Sequence, residues 1–434
     1  MNLIPNILVL SRAFDAGDAI TTLNLLSQWP KANMFCASPA KSPFYSNFNQ
    51  YYYMGNKEIS LMKPFSFLEK VPSSEILSGH ISRNNGKLSI LRRLYKNVGI
   101  PVMRWLDLYE KRMTINLSDD LKSWIRNICP DVIYTSAGDT EFAKFILSIK
   151  KEFPEIPLVI HAFDDWSKPY NKMINYKGHQ KYAENLMFEC FKHADYLMCS
   201  SDFLKNDFST KYNLEFHTFP NPVNLNSFFS YDISKAKDFD TLRITYIGKV
   251  SVHNAVALKN MQAAVIQFNK NNAYKPLIFD VYTQTNSQDC HRFGIHDCDS
   301  VKINAPVPNT EIPGVVKESD ILFLPISVSP EVARFTKYSM STKMGEYLAS
   351  GVPVIYCGPQ GIAMSDFVAG NNCAYNINSD DVTSLIKAIE HIINPENKSE
   401  ITQMTLNGIE VSKQYFDINI ISGRFADTIK SLSI

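Results

Sequence analysis

Short apolar runs bounded by polar residues recur along the chain, and the segments between them carry apolar residues every three to four positions. That alternation commits a chain to doubly wound α/β architecture, because each buried parallel strand needs a crossover to reach the next. The runs predict strands at 6–10, 33–37, 131–135, 157–160, 196–199 and 216–219, then at 242–247, 277–282, 301–304, 321–324, 353–356 and 373–375. A length of 434 residues is too great for one ordinary core, so two such domains are expected. The stretch 220–240 lacks periodicity and holds two prolines, which makes it the natural connection. The expected division is 1–222 for the first domain, 223–240 for the linker and 241–410 for the second domain. The tail 411–434 is helical in period with no strand after it, and is expected to pack back on the first domain.

Composition narrows the function classes. A formal net charge of +1 argues against general nucleic-acid binding. The eight cysteines are scattered and form no CxxC pair, so free thiols and a reducing, cytoplasmic setting are expected. The opening "MNLIPNILVLSRAF" has no basic leader, and Pro5-Asn6 interrupts its apolar run, so it reads as a first strand. No run of 18 apolar residues occurs that could span a bilayer.

The stretch "STKMGEYLASGVPVIYCGPQG" (341–361) is the most informative. Ser341 or Thr342 supplies an N-cap oxygen, and Met344, Tyr347 and Leu348 form one apolar stripe. Gly351 stands where a left-handed helix end is expected, and Pro353 forbids continuation. Lys343 and Glu346 then lie one turn apart at the positive end of the helix, an arrangement suited to an anion with a polyol attached. The same pair also reads as an ordinary solvated helix surface. Parallel α/β sheets bind ligands at the carboxyl ends of their strands. The segments there are "SRAFDAGD" (11–18), "SAGD" (136–139), "HAFDDW" (161–166), "GKVSVHN" (248–254) and "CGPQG" (357–361).

Several of these segments resemble the family 4 retaining glycosyltransferases. "HADYLMCSSDFLKNDF" (193–208) is similar to the family's Ala-Asp-strand-Ser segment, and "FHTFPNPVNLNSF" (216–228) to its strand followed by Pro-Asn-Gly-Val-Asp, with Pro222 in place of the glycine. "LRITYIGKVSVHN" (242–254) resembles the opening strand of the second domain. "VKINAPVPNTEIPGVVKESDILFLPI" (301–326) resembles the succession that follows, and "STKMGEYLASGVPVI" the donor-binding helix. The resemblance implies the type-B glycosyltransferase fold, two facing Rossmann-like domains with a cleft between them. It departs at two places. The family's Glu-x7-Glu pair would need a carboxylate at 338, where Tyr338 stands, and its Gly-Arg-x4-Lys becomes Gly248-Lys249-x4-Asn254.

The resemblance implies transfer from a nucleotide sugar with retention of configuration, no metal and no cofactor. The acceptor would be a glycan or a lipid-linked glycan, as in bacterial surface polysaccharide synthesis. A departing diphosphate can be neutralised by two fixed cations and a helix N-terminus. Lys249, Lys343 and the amides of Ser341, Thr342, Lys343 and Met344 are the candidates, and Lys343 would replace the cation missing at 254. Glu346, acceptor-only when ionised, suits two hydroxyls of a ribose or sugar ring. Gly17, Gly248 and Gly361 would let a backbone approach the donor. His161 is implied to lie beside the reacting centre. Gly138, Asp139, Asp164 and Asp165 are acceptor-side candidates, and the aspartates serve equally as helix caps. Two other readings stay open: a nucleotide-sugar epimerase on the same fold, and an inactive glycosyltransferase-like partner subunit.

Cys290, His291, His296 and Cys298 have no recognised zinc spacing and read as a polar loop, and "DCD" (297–299) is unneeded in a metal-free architecture. Residues 87–113 hold seven basic and two acidic side chains. They would form a basic amphipathic helix able to touch an anionic membrane, or one packed on its own sheet.

Overall fold

The computed structural model describes residues 4–12, 14, 16–60, 71–77, 98, 102–103, 114–136, 138–167, 177–229, 240–271 and 275–433. Most of the basic segment 87–113 therefore lies outside the described residues, as do residues 230–239 of the expected linker. The chain divides into two compact units, Met1–Phe219 with Ser422–Ile434, and Pro220–Ile421.

The first unit is built on β1 (Ile7–Leu10), β2 (Met34–Ser38), β3 (Gln50–Tyr53), β4 (Ile59–Ser60), β5 (Glu75–Ile76), β6 (Thr114–Ile115), β7 (Val132–Thr135), β8 (Leu158–Ala162), β9 (Tyr196–Cys199) and β10 (His217–Thr218). Its main sheet has the order β10-β9-β8-β7-β1-β2-β3-β5, and β4 pairs with β6 separately. Among the described residues only the β3–β5 and β4–β6 pairings are antiparallel. β1, β2, β7 and β8 are buried along their whole length, as a parallel sheet covered on both faces requires. The order reverses at β1 and β7, so the loops after those strands flank the crevice where such sheets bind ligands.

The second unit carries β11 (Leu242–Ile247), β12 (Leu277–Tyr282), β13 (Val301–Asn304), β14 (Ile321–Pro325), β15 (Val354–Cys357) and β16 (Tyr375–Ile377). They form an all-parallel sheet in the order β13-β12-β11-β14-β15-β16. This is the order of a dinucleotide-binding sheet, with its switch point between β11 and β14. Alternate residues feed two cores. Ile321 and Phe323 of β14, with Ile355 and Cys357 of β15, join one. Leu322 and Leu324, with Val354 and Tyr356, join the other. That period of two fixes the register, since a one-residue slip would exchange the two faces.

The expected linker is shorter than its sequence suggests. Val223, Leu225 and Phe228 are buried in the second unit's core, so 223–228 is anchored chain, while Phe229 is exposed. Val223 donates its N–H to the Phe416 carbonyl at 2.7 Å and accepts from Ile418 N–H at 3.0 Å. The tail forms two helices, Lys398–Phe416 and Ile418–Leu432. From Ser422 onward the second belongs to the first unit, where Phe425 packs edge-on against Tyr134 and Phe219.

Candidate functional site

The β11 strand ends at Ile247, and Gly248 turns the chain at φ 150°. A side chain at 248 would collide with Lys343, because a Cβ there would stand 2.2 Å from the lysine Cε and 2.6 Å from its Nζ. Glycine is thus favoured by the backbone angle, and its missing side chain leaves the space in which the flexible end of Lys343 lies. Lys343 comes from the helix Thr342–Ala349, which Ser341 caps by accepting from the Lys343 N–H. The Met344 N–H is taken by the Ser341 carbonyl, and the Met344 side chain is buried in the core. Two of the first-turn amides expected to meet a ligand are therefore already engaged. The helix is held close to its neighbours by Gly345, whose Cβ would come within 2.9 Å of both Phe416 and Val223. Tyr347, fully buried, accepts the Ile247 N–H at 2.8 Å and locks the helix to the end of β11. Gly351 ends this segment at φ 74°, the left-handed geometry its sequence position predicts.

Lys343 and Glu346 are half-buried, and neither side chain forms a hydrogen bond or ion pair among the described residues. The Lys343 ammonium lies over the Tyr246 ring, 5.8 Å from its centre. Burial pushes its pKa down and outweighs the favourable field of Glu346. Burial also raises the Glu346 carboxyl to about 7, against the opposing field of Lys343. Two half-buried ionisable groups that form no ion pair with each other can still bind a third group. Such clusters mark functional sites. Lys249, next to Gly248, is exposed and has no side-chain partner among the described residues. The β11 switch-point loop and the start of the helix thus bring Gly248, Lys249, Lys343 and Glu346 together. That end of the sheet thus carries two basic side chains and one carboxyl group.

Other second-unit expectations fare differently. Thr342 is exposed at the helix start, and Gly361 turns at φ 70° with no atom within 4 Å of a Cβ position. The glycine demanded by packing in that loop is Gly358, where a Cβ would stand 2.3 Å from the Tyr356 hydroxyl. Tyr338 is a buried ring, and Lys337 donates to its hydroxyl at 3.1 Å. Asn254 is a loop tie and offers no charge outward. Cys290 is buried in the core while Cys298 is exposed, and Asp297 accepts the Ile303 N–H, so this segment folds as a turn. No group of three metal-ligating residues occurs among the described residues, and all eight cysteines are free.

In the first unit the structure corrects the reading of His161. The sequence reading placed it just past strand 157–160, but β8 runs Leu158–Ala162 and includes it. The ring is wholly buried, stacks on Phe163 at 4.1 Å and meets the Tyr134 hydroxyl through Nδ1 at 2.8 Å. Burial depresses its pKa to about 3, with the backbone of Phe219 and Cys199 offsetting part of the effect. With no exposed surface, the ring is a buried neutral group in this structure. Gly17 lies within the helix Ala16–Leu25, not in a loop ahead of it. Asp139 caps the helix Thr140–Glu152 through the Phe142 N–H at 2.8 Å. Asp165 is buried and accepts from the Ser167 amide and hydroxyl, which closes a local turn, while Asp164 is exposed. Gly138 has open space around it.

The sequence reading overlooked Arg12. It follows β1 and binds Asp139 through Nε and Glu141 through Nη2, each at 2.8 Å. The cluster sits at the carboxyl ends of neighbouring strands β1 and β7, the switch point of the first sheet. The only sequence signal was a lone arginine directly after a buried strand.

No family model matches this chain, and no curated protein matches it by sequence. Solved structures do match in fold. One is Anabaena Alr3699/HepE in complex with UDP, at 13% identity and TM-score 0.62, covering 98% of this chain and 100% of that one. The same Anabaena protein with UDP-glucose matches at 13% identity and TM-score 0.61, covering 98% and 99%. A sucrose-phosphate synthase from Thermosynechococcus elongatus matches at 11% identity and TM-score 0.62, covering 98% and 99%. A trehalose 6-phosphate synthase from Burkholderia multivorans matches at 8% identity and TM-score 0.60, covering 99% and 97%. At such identities the likeness establishes the type-B glycosyltransferase fold, with two parallel-sheet domains. Among the described residues no helix is long and apolar enough to cross a membrane.

Proposed function

We propose that this protein is a glycosyltransferase that takes its sugar from a nucleotide diphosphate sugar and passes it to a glycan or lipid-linked glycan. The observation that carries the reading is the Lys343–Glu346 pair, half-buried beside Gly248 at the switch point of the second sheet, with no side-chain hydrogen bond or ion pair among the described residues. The fold neighbours that hold UDP and UDP-glucose support a uridine nucleotide as the first donor to try.

In this reading Lys343 and Lys249 neutralise the diphosphate. As the glycosidic bond breaks, negative charge collects on the departing phosphate. A fixed cation there is stronger in the transition state than in the ground state. Glu346 accepts hydroxyls of the ribose or the sugar, groups that change little during reaction. These protein cations need no metal to take up the charge, and the family resemblance favours retention of configuration. Of the first-unit candidates, Arg12 with Asp139 is the better acceptor-side group, since His161 has no accessible surface.

A thermal-shift screen across nucleotide sugars tests the donor, followed by an assay for nucleotide release with and without acceptor. Stabilisation by at least one nucleotide sugar, and acceptor-dependent release, are expected. No stabilisation by any of them would reject the reading.

A further inference from the structure

We infer that Asn254 is a positioning residue that fixes Lys249 in place to meet the diphosphate. The inference rests on the donor-binding reading above. The sequence suggested a lost cation at 254, but the side-chain amide there is fully committed within its own loop. Its Nδ2 donates to the Tyr246 hydroxyl at 2.8 Å and to the Lys249 carbonyl at 3.1 Å. Its Oδ1 accepts the Ser251 N–H at 2.9 Å. The buried Tyr246 hydroxyl donates to the same Lys249 carbonyl at 2.8 Å.

The peptide groups on either side of Lys249 are tied as well. Gly248 N–H donates to the Tyr282 carbonyl at 2.8 Å. Val250 N–H donates to Thr285 Oγ1 at 3.0 Å, and that hydroxyl donates back to the Val250 carbonyl at 3.1 Å. The loop is therefore closed through its own bonds around one exposed lysine whose side chain has no partner among the described residues. The long lysine stem is flexible, so its root must be fixed if the ammonium is to act as a preorganised cation. Asn254 fixes it by binding the lysine's own carbonyl. A lysine at 254 has no acceptor for the Ser251 N–H, and its flexible ammonium would not restore the held loop.

A double-mutant cycle read by calorimetric titration of UDP tests this. Two residues that act through one contact show non-additive losses. Asn254→Ala should weaken UDP binding by roughly tenfold, about 1.4 kcal/mol, in the native background. It should weaken it less than about twofold in a Lys249→Ala background, where nothing is left to position. Asn254→Lys should weaken binding as much as Asn254→Ala. If Asn254→Ala does not fold, Tyr246→Phe removes one of the two donors to the Lys249 carbonyl and runs the same cycle. Equal losses in both backgrounds, or tighter binding by Asn254→Lys, would overturn the inference while leaving the donor site intact. Failure of the native protein to bind UDP or any nucleotide sugar would overturn the donor-binding reading and this inference together.

Discussion

Gly248→Ala is the perturbation whose outcome the geometry defines most sharply. The added Cβ would stand 2.2 Å from Lys343 Cε and 2.6 Å from Nζ, so the lysine must leave its place. The backbone at φ 150° adds about 1–3 kcal/mol of strain for a side-chain-bearing residue. Displacing a cation aimed at developing charge should lower turnover by about 10²–10³, by analogy with losing an oxyanion donor. The control is Gly351→Ala. Its φ of 74° also disfavours a side chain, but the nearest atom, Ile409 Cδ1, lies at an ordinary 3.5 Å. That control should cost about 1–2 kcal/mol and leave turnover near normal. For a domain of this size each kcal/mol lowers the melting temperature by about 2–4 °C. Melting curves and nucleotide-release kinetics on both variants separate strain from displacement. In a Lys343→Ala background, Gly248→Ala should cause little further loss of turnover. If Gly248→Ala turned over as fast as Gly351→Ala, Lys343 would not be part of the chemistry.

Three further outcomes follow from the same residues. Lys343→Ala should lower kcat and kcat/KM together, whereas Glu346→Gln should mainly raise KM for the donor, as steady-state kinetics would report. The Glu346 carboxyl, raised to about 7, holds its proton more tightly folded than unfolded, so its contribution to stability is complete below its unfolded value near 4.5 and fades as pH rises through about 7. Melting temperatures from pH 5 to 8 should therefore fall more in the native protein than in Glu346→Gln, and parallel curves would contradict this. His161, depressed to about 3, contributes stability above its unfolded value near 6.5 that is lost as pH falls toward 3. His161→Phe should accordingly show a flatter acid-denaturation profile, and an unchanged profile would remove the buried-histidine assignment.

The strands of the second unit were legible because burial on both faces of a parallel sheet writes continuous apolar runs. β11, β12 and β13 lie where those runs predicted. β3 is missing from the expected strands, since its buried Tyr51, Tyr52 and Tyr53 carry hydroxyls and do not form an aliphatic run. The Lys343–Glu346 helix could be read locally because its cap, stripe and C-terminal glycine fall within one short segment. The reason for Gly248 could not, because the atom it yields to lies on a helix far along the chain. His161 was misplaced for a similar reason. Where a strand stops decides whether its last polar residue faces water or Tyr134, and sequence pattern does not resolve that end. Arg12 was missed because its carboxylate partners are 127 and 129 residues away. Asn254 reads as a vacancy when compared with a motif, and becomes a tie only when the Tyr246 hydroxyl and the Lys249 carbonyl are seen beside it.

In the proposed reaction Lys343 serves the charge that appears on the diphosphate when the sugar leaves. UDP carries that terminal charge and UDP-glucose does not, so the two ligands report on the two stages. Calorimetric titration of both into the native protein and Lys343→Ala is the most direct measurement. The account predicts that both ligands bind the native protein, and that Lys343→Ala loses roughly tenfold or more in affinity for UDP but clearly less for UDP-glucose. Equal losses for the two ligands, or no loss for either, would contradict it.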